Sequence, residues 1–262
     1  MVMGIINVNE DSFFSDSRAT NLNDITNKFQ AYLEQGASIV DLGFTSTRPG
    51  ASLSDAKDEI ERLIPVLRHV RKEFPHSIIS IDTYHASVAE VAANEGVSII
   101  NDISGGSIDT QMFATVAKFK IPYILMHIQG TPATMQKNPI YEDVVSEVLT
   151  TLATKLKFLF SLGCSDVILD PGFGFGKTLE NNFELLKGLH RFTELNVPVL
   201  AGLSRKSMVN KVLDLGPEDA LNGTTALNMI ALLQGASILR VHDVKEAVQC
   251  VKLFQAYSQA GT

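Results

Sequence analysis

The sequence predicts a (β/α)8 TIM barrel. Three observations lead there: eight short β-rich apolar runs too brief for helices, helical periodicity in most intervals between them, and a length of 262 residues, the size at which eight such units close into one barrel. Strand-helix alternation makes the strands parallel, joined by right-handed crossovers. A doubly wound open sheet is the rival, and it would need fewer strands and a switch-point crevice. With no linker, low-complexity run or break in composition, residues 1–262 are read as one domain.

The elements follow in chain order. VMGIIN ends on Asn7 and leads into a polar loop, NEDSFFSDSRATN, before Ile25, Phe29 and Leu33 mark a helix face that Gly36 closes as a C-terminal cap. SIVDLGF carries Asp41 and opens a second loop, TSTRPGASLSD. Ser54 to Phe74 reads as a helix with acids in its first turn and Ile60, Leu63, Ile64 and Leu67 facing inward. SIISID ends on Asp82 and precedes a helix over 86–94; VSIIND ends on Asn101 and Asp102 before a helix over 111–119. PYILMH ends on His127 with a helix over 141–162, and DVILD ends on Asp170 with a helix over 179–189. PVLAGL runs to Ser204, and the next helical pattern covers 223–234. SILRVHD carries Arg240 and His242 ahead of a last helix over 244–257. Because the first run begins almost at Met1, the barrel floor is sealed by side chains or the chain has been shortened.

Composition narrows the function. A net charge of −7, with Lys and Arg spread along the chain, argues against a nucleic-acid partner, which needs a concentrated basic surface. Small anions need only a local cluster. Cys164 and Cys250 show neither metal-ligand spacing nor a disulfide framework, so a reduced, cytoplasmic setting is expected. No run approaches the roughly 18 apolar residues of a membrane span, and MVMGIINVNEDS lacks the basic start of a signal peptide.

Barrel chemistry sits where strand C-termini converge. Here nearly every run ends in a polar residue: Asn7, Asp41, Asp82, Asn101 with Asp102, His127, Asp170, Ser204, and Arg240 with His242. Any one could cap a helix or bond a turn; their recurrence at every strand end points to a site. Asp82, Asn101 and Asp170 suit a flat heterocycle with an amidine-like edge, because a carboxylate takes such an edge bidentately. Arg48, Arg205, Lys206, Arg240 and His242 supply donors for a phosphate or pyrophosphate. Asn7 is a neutral oxygen ligand that could complete the shell of Mg²⁺, an ion that keeps most of its waters and ligand oxygens. The two long loops are candidates to close over a substrate, Pro49 stiffens a turn that aims Arg48, and Met126 and Phe175 are pocket walls or core.

One string invites a different reading. DPGFGFGKT, residues 170–178, has three alternating glycines before Lys-Thr. A P-loop needs four residues between its first glycine and Gly-Lys so that backbone N–H groups wrap a phosphate. Gly172 and Gly176 enclose only three, and the dinucleotide fingerprint fails on spacing too. Asp170 is therefore the residue of interest in this stretch.

MGIINV-x-x-DSF, STRPGA, SIDTY, NDISGG, LMH-x-x-GTP-x-TMQ, DPGFGFGKT, GLSRKSM and RVHDVKE together resemble the dihydropteroate synthase family, in its order and spacing, over nearly the whole chain. The resemblance implies a TIM barrel that condenses hydroxymethyl-dihydropterin pyrophosphate with p-aminobenzoate, giving dihydropteroate and pyrophosphate. It places Asp82, Asn101, Asp170 and Lys206 on the pterin, with Asp170 on its guanidine-like edge, Arg240 stacked on the ring and, with His242, on the pyrophosphate, and Asn7 on Mg²⁺. Thr47, Arg48, Pro49, Phe175 and Ser207 would shape the p-aminobenzoate site, with Met126, Gly202 and Arg205 as further substrate contacts. It implies dissociative chemistry, in which a pterin methylene cation is trapped by the aryl amine, and a homodimer formed through the last helices.

Two loops depart from the family pattern. Asn9 and Glu10 replace Thr-Pro, a second Phe follows Phe13, and Ser17-Arg18 replace a glycine pair; Phe44 and Thr45 stand in the second loop where Gly-Glu is usual. The first loop is similar to that of sulfonamide-insensitive members, so weaker sulfonamide inhibition is expected. Two alternatives stay open at this point: a pterin-binding methyltransferase, disfavoured by the SRKS and RVHD cationic cluster, and a non-catalytic pterin-binding relative.

Overall fold

The computed structural model describes residues 1–8, 18–44 and 54–260. Strands and helices alternate as expected: β1 (Val2–Asn7), α1 (Arg18–Glu34), β2 (Ile39–Gly43), α2 (Ala56–Glu73), β3 (Ile79–Asp82), α3 (Ala86–Asn94), β4 (Ile99–Asp102), α4 (Met112–Phe119), β5 (Tyr123–Met126), α5 (Val144–Ser161), β6 (Val167–Asp170), α6 (Leu179–Lys187), β7 (Leu200–Ala201), α7 (Ser207–Leu213), α8 (Leu221–Leu233), β8 (Ile238–Val241) and α9 (Val244–Gln259). The parallel sheet runs β6-β5-β4-β3-β2-β1-β8-β7. A parallel bridge between Leu169 and Val199, with the Leu169 N–H donating to Pro198 O at 2.9 Å, joins its two ends and closes the (β/α)8 barrel.

Local chemistry sets the helix limits. Asp55 caps α2 by accepting from Lys57 N, Asp143 caps α5 by accepting from Ser146 N, and Thr178 and Asn181 form a reciprocal capping box on α6. Gly36 has φ of 98° and ends α1, as its position in the sequence predicted. Two details differ from expectation. The buried stripe of α2 is Glu59, Leu63, Val66, Leu67 and Val70, so Ile60 and Ile64 sit at its margins. Helix α7 and two 3-10 turns, Leu189–Leu195 and Pro217–Asp219, occupy stretches read as loop; α7 has only seven residues and stops at Asp214 in a left-handed conformation, too short a run for periodicity to register.

The barrel interior explains where the polar residues point. Met3, Ile39, Ile99, Ile124, Leu200 and Ile238, with Ile168 packed against them, form one apolar cluster across the N-terminal ends of seven strands. Side chains of a strand alternate between faces, so a residue two positions further on points the same way. Two positions beyond these residues stand Asp41, Asn101, Met126, Asp170, Gly202 and Arg240, and Asn7 lies four beyond Met3. Ser80, two before Asp82, is the buried polar residue at this depth on β3. Side chains thus seal the floor, and the same pleat that directs the floor inward directs the polar layer above it. Among the described residues no helix is long and apolar enough to cross a membrane.

Candidate active site

Arg240 organises one half of the polar layer. Its Nε donates to Asp41 Oδ2 at 2.8 Å, and its Nη2 reaches Asp41 Oδ2 at 2.6 Å and Asp82 Oδ2 at 2.7 Å. Asp41 Oδ2 also accepts from Asn101 Nδ2 at 3.0 Å. One guanidinium therefore bridges β2, β3 and β8, and Asp41 ties in β4. Burial would lower the Arg240 pKa, but Asp41 and Asp82 hold it well above its ordinary value. Burial drives the Asp82 carboxyl up to about 7, against the pull of Arg240 and helped by the charge of Asp41. Because its NH₂ is committed to Asp41, Asn101 presents its carbonyl oxygen to the cavity. Among the described residues, Asp41 Oδ1 and Asp82 Oδ1 are buried acceptors with no hydrogen-bond partner. The set is rich in acceptors, as a donor-bearing heterocycle edge requires.

Asp170 faces the other half. Its Oδ1 accepts from Gly172 N at 2.7 Å, so the glycine turn aims the carboxylate. Burial raises its pKa, while Lys206, the Gly172 N–H, Arg240 and Lys177 oppose that rise. Lys206, the residue before α7, donates to Phe173 O, and its ammonium lies 4.7 Å from the centre of the Phe175 ring. Burial brings it down to about 8, with Asp170 opposing. A Cβ on Gly202 would stand 3.8 Å from Lys206 Nζ, an ordinary contact, which places Gly202 beside the ammonium. Met126 is buried with Tyr84 and Ile103, and half-buried Phe175 packs on them, giving the mouth an apolar wall.

The glycine turn presents its carbonyls to side chains. Gly172 O and Phe175 O accept from Lys177 Nζ at 2.9 and 3.0 Å, Phe173 O from Lys206, Gly174 O from Gln136 Nε2 at 2.7 Å, and Gly176 O from Tyr141 OH at 2.8 Å. The N–H groups of Gly172 and Gly174 are engaged by Asp170 and Asn182. A phosphate loop offers N–H groups to an anion; this turn offers oxygens to ammonium, amide and hydroxyl donors, which agrees with the spacing argument.

The remaining candidates divide. Ser204 Oγ accepts from His242 N at 3.2 Å and lies 3.0 Å from His242 Nδ1, so its own proton can serve Nδ1, leaving the ring hydrogen on Nε2 as a donor. Burial and the nearby Arg240 charge lower the His242 pKa to about 4, making it a neutral donor where the sequence suggested a cation. Arg205 is drawn away from the cavity: Nε and Nη2 pair with Asp243 at 2.9 and 2.8 Å, and Nη1 donates to Pro217 O and Glu218 O. Asp102 and His127 also turn aside. Asp102 accepts from Tyr123 OH, Ser104 N and Gly106 N, and so shapes the turn after β4; His127 meets Lys177. Ser207 opens α7 and lines a cavity of about 60 Å³ with Lys177, Asn182 and Lys211. Asn7 is exposed at the rim, where Gly43 has no side chain to crowd its Oδ1. Thr47, Arg48 and Pro49, and the first-loop residues Asn9 and Glu10, lie outside the described residues.

Three buried charged residues carry structure that the sequence did not assign. Asp41 was visible as a strand-end acid, but its ion pair joins positions 199 apart. Lys177 is 3% exposed; the signal for it was a lysine directly after a turn whose carbonyls needed donors. Glu59 is fully buried in α2, and burial raises it to about 7; a carboxylate in a helix's first turn reads as a dipole partner, which hid its burial.

Residues 3–242 match the family described as pterin binding enzyme. A dihydropteroate synthase from Haemophilus influenzae is 41% identical over 261 residues, covering 99% of this chain and 94% of that protein. Among solved structures, the Yersinia pestis dihydropteroate synthase in a sulfonamide drug complex superposes with a TM-score of 0.92 at 37% identity, covering 99% of this chain and 94% of that one. The Xanthomonas albilineans enzyme with 4-aminobenzoic acid gives 0.89 at 35%, covering 99% and 93%.

Proposed function

The chain belongs to the pterin-binding enzyme family and is a dihydropteroate synthase of folate biosynthesis, and from that premise we propose how its own residues divide the work of joining hydroxymethyl-dihydropterin pyrophosphate to p-aminobenzoate. The observation that carries the reading is the acceptor layer of Asp82, Asn101 and Asp170 set against Lys206 and Arg240 one step above the apolar floor. Asp170 takes the N–H and amino edge of the pterin in two charge-assisted hydrogen bonds. Asn101 and Asp82 accept from the other nitrogens, and Lys206 donates to the ring carbonyl. Met126 and Phe175 exclude water above the ring.

The bond that breaks joins the pterin methylene carbon to a pyrophosphate oxygen, which keeps the bonding electron pair; the bond that forms joins that carbon to the aryl nitrogen, whose surplus proton passes to the released pyrophosphate or to water. Arg240 and His242 Nε2–H are placed to stabilise the negative charge that develops on the leaving pyrophosphate. Asn7 is the residue proposed to hold Mg²⁺. Among the described residues no cluster of three or more His, Cys, Asp or Glu is assembled for a metal, and a single open amide oxygen fits an ion that takes its other ligands from phosphate and water. When bound, Mg²⁺ would neutralise pyrophosphate charge. The electron-poor methylene accepts a weak neutral amine, so the chain needs no nucleophile-base pair and works by binding and orienting.

Ser207 at the start of α7, together with Thr47, Arg48 and Pro49, is proposed for p-aminobenzoate. The departures at Asn9 and Glu10 are proposed to weaken sulfonamide binding, because loss of a proline frees the backbone torsion it fixed. Two unpaired buried thiols suit a reduced, cytoplasmic setting. A homodimer through α8 and α9 is proposed from their exposed Ile230, Leu233, Leu253 and Tyr257; light scattering that returns a monomer's mass removes it.

Pyrophosphate release from the pterin substrate, assayed with and without p-aminobenzoate and paired with detection of dihydropteroate, tests the activity. Binding of the pterin substrate without dihydropteroate formation would refute it.

A further inference from the structure

Lys177 is a buried cation with no place in the chemistry above. Its ammonium has three hydrogens and meets three acceptors: His127 Nδ1 at 3.1 Å, Gly172 O at 2.9 Å and Phe175 O at 3.0 Å. The His127 ring is itself buried and held near pKa 3 by burial and by the Lys177 and Lys155 charges, so Nδ1 is a lone-pair acceptor at neutral pH. The turn cannot move away from this contact easily. A side chain on Gly172 would collide with His127 O, and one on Gly176 would stand 2.5 Å from Gln129 O, so the turn lies directly on the segment after β5. That turn supplies both the N–H that aims Asp170 and the Phe175 ring beneath Lys206.

We propose that Lys177 is a positioning residue for the synthase reaction: its ammonium clamps the Gly172–Gly176 turn to the β5 segment and places a positive charge near the Asp170 carboxylate that grips the pterin edge. The inference deepens the functional reading above and rests on its assignment of Asp170. A hydrogen-bonded lysine could be a structural pin alone, but a neutral donor would serve a pin as well. Here burial lowers the lysine to about 7 and Asp170 opposes that fall, so the two charges support each other. The other groups facing Asp170 are Lys206 before α7, Arg240 from β8 with its partner Asp41, and Asp82 from β3. Lys177 is thus the third cation acting on this carboxylate, and its ammonium is bonded to the carbonyl of the same Gly172 whose N–H the carboxylate accepts.

The test separates charge from hydrogen bonding. Pterin affinity is measured with 6-hydroxymethylpterin by fluorescence titration from about pH 4 to 7 on the full chain, alongside thermal melts, for wild type, Lys177→Gln and Lys177→Arg. Glutamine keeps donors for the two carbonyls and loses the charge; arginine keeps the charge. Protonated Asp170 cannot accept the pterin edge, so binding falls on the acid side; because Asp82 also titrates in this range, all three chains carry Asp82→Asn as a common background, in which Asp170 alone sets the limb. The expected result is that Lys177→Gln moves that acid limb up by about one pH unit, the lower end for losing a nearby opposite charge, whereas Lys177→Arg leaves it in place. A limb in Lys177→Gln that coincides with wild type, whatever its melting temperature, overturns the proposal, as does an equal shift in both variants. Should the glutamine variant not fold, the reciprocal measurement decides: in Asp170→Asn, ¹⁵N NMR of the Lys177 ammonium must show proton loss at lower pH than in wild type, and an unchanged titration overturns the proposal. None of these measurements requires turnover, so a wild-type chain that binds pterin but forms no dihydropteroate would refute the functional reading separately.

Discussion

Replacing Asp41 with asparagine tests the charge network under the pocket while nearly preserving shape. Asp41 is fully buried; its Oδ2 accepts hydrogen bonds from Arg240 Nε and Asn101 Nδ2 and forms an ion pair with Arg240 Nη2. Hydrogen bonds to a charged group contribute about 1.5–3 kcal/mol, against about 0.5–1.5 for neutral pairs. Two hydrogen bonds weakened by about 1 kcal/mol each, with the Nη2 ion pair lost beside them, come to about 2–4 kcal/mol, toward the lower end of the cost of breaking a buried pair outright because Arg240 keeps Asp82. For a chain of this length about 2–4 °C of melting temperature accompanies each kcal/mol, so Asp41→Asn should melt about 5–15 °C lower. A second consequence has a definite sign. The Asp41 charge helps raise Asp82 to about 7, so without it Asp82 ionises at lower pH. In wild type the folded carboxyl holds its proton above the unfolded value of about 3.9, so this group's contribution to stability falls as pH rises from about 4 to about 7. In Asp41→Asn that fall should shrink. Thermal and denaturant melts across this pH range read both effects. A variant within about 0.5 kcal/mol of wild type, or one whose stability falls as steeply with pH, would refute the network described here.

Three further outcomes are expected. Asp170→Asn should weaken pterin binding by at least about tenfold while melting within a few degrees of wild type, since it removes one half of a charge-assisted pair; wild-type affinity by calorimetry would end that assignment. His242 is neutral with a pKa of about 4, and a pyrophosphate beside it would raise that value. Binding of the pterin pyrophosphate near pH 6 should therefore take up a proton, seen as a dependence of the calorimetric heat on buffer ionisation that His242→Gln abolishes; a heat independent of buffer would count against it. Restoring Thr-Pro at Asn9 and Glu10 should lower the sulfonamide concentration needed for half inhibition by several-fold, and an unchanged inhibition curve would clear that loop of the effect.

The sequence exposes the barrel and much of the pocket for the same reason. Apolar alternation marks a strand, and a polar residue at the C-terminal end of that alternation marks the rim, so Asp82, Asn101 and Asp170 were readable from local pattern alone. Their neighbours were harder. Asn101 and Asp102 are adjacent, yet one faces the cavity and the other bonds Tyr123; alternation says that they part, and only the register says which goes inward. Arg205 and Lys206 read as twin cations, but Arg205 has φ of 55° and reaches Asp243 while Lys206 enters the site. Asp41 depends on a partner 199 positions away, and Lys177, though two of its acceptors lie within five residues, also meets His127 50 positions away; no local window contains those distant partners.

The two-residue step from floor to polar layer also governs which genetic changes the site can survive. A strand's faces exchange when its register slips by one. A single-residue insertion between Ser80 and Asp82, or between Ile168 and Asp170, would turn the acid outward into the helix layer and bring an apolar neighbour inward, even if every other residue were kept. A longer insertion in the loops after β1 or β2 leaves this parity untouched. Substitution and loop length are therefore the open routes by which such a chain changes without disturbing its polar layer, and Asn9, Glu10, Phe44 and Thr45 all stand at or beyond strand ends.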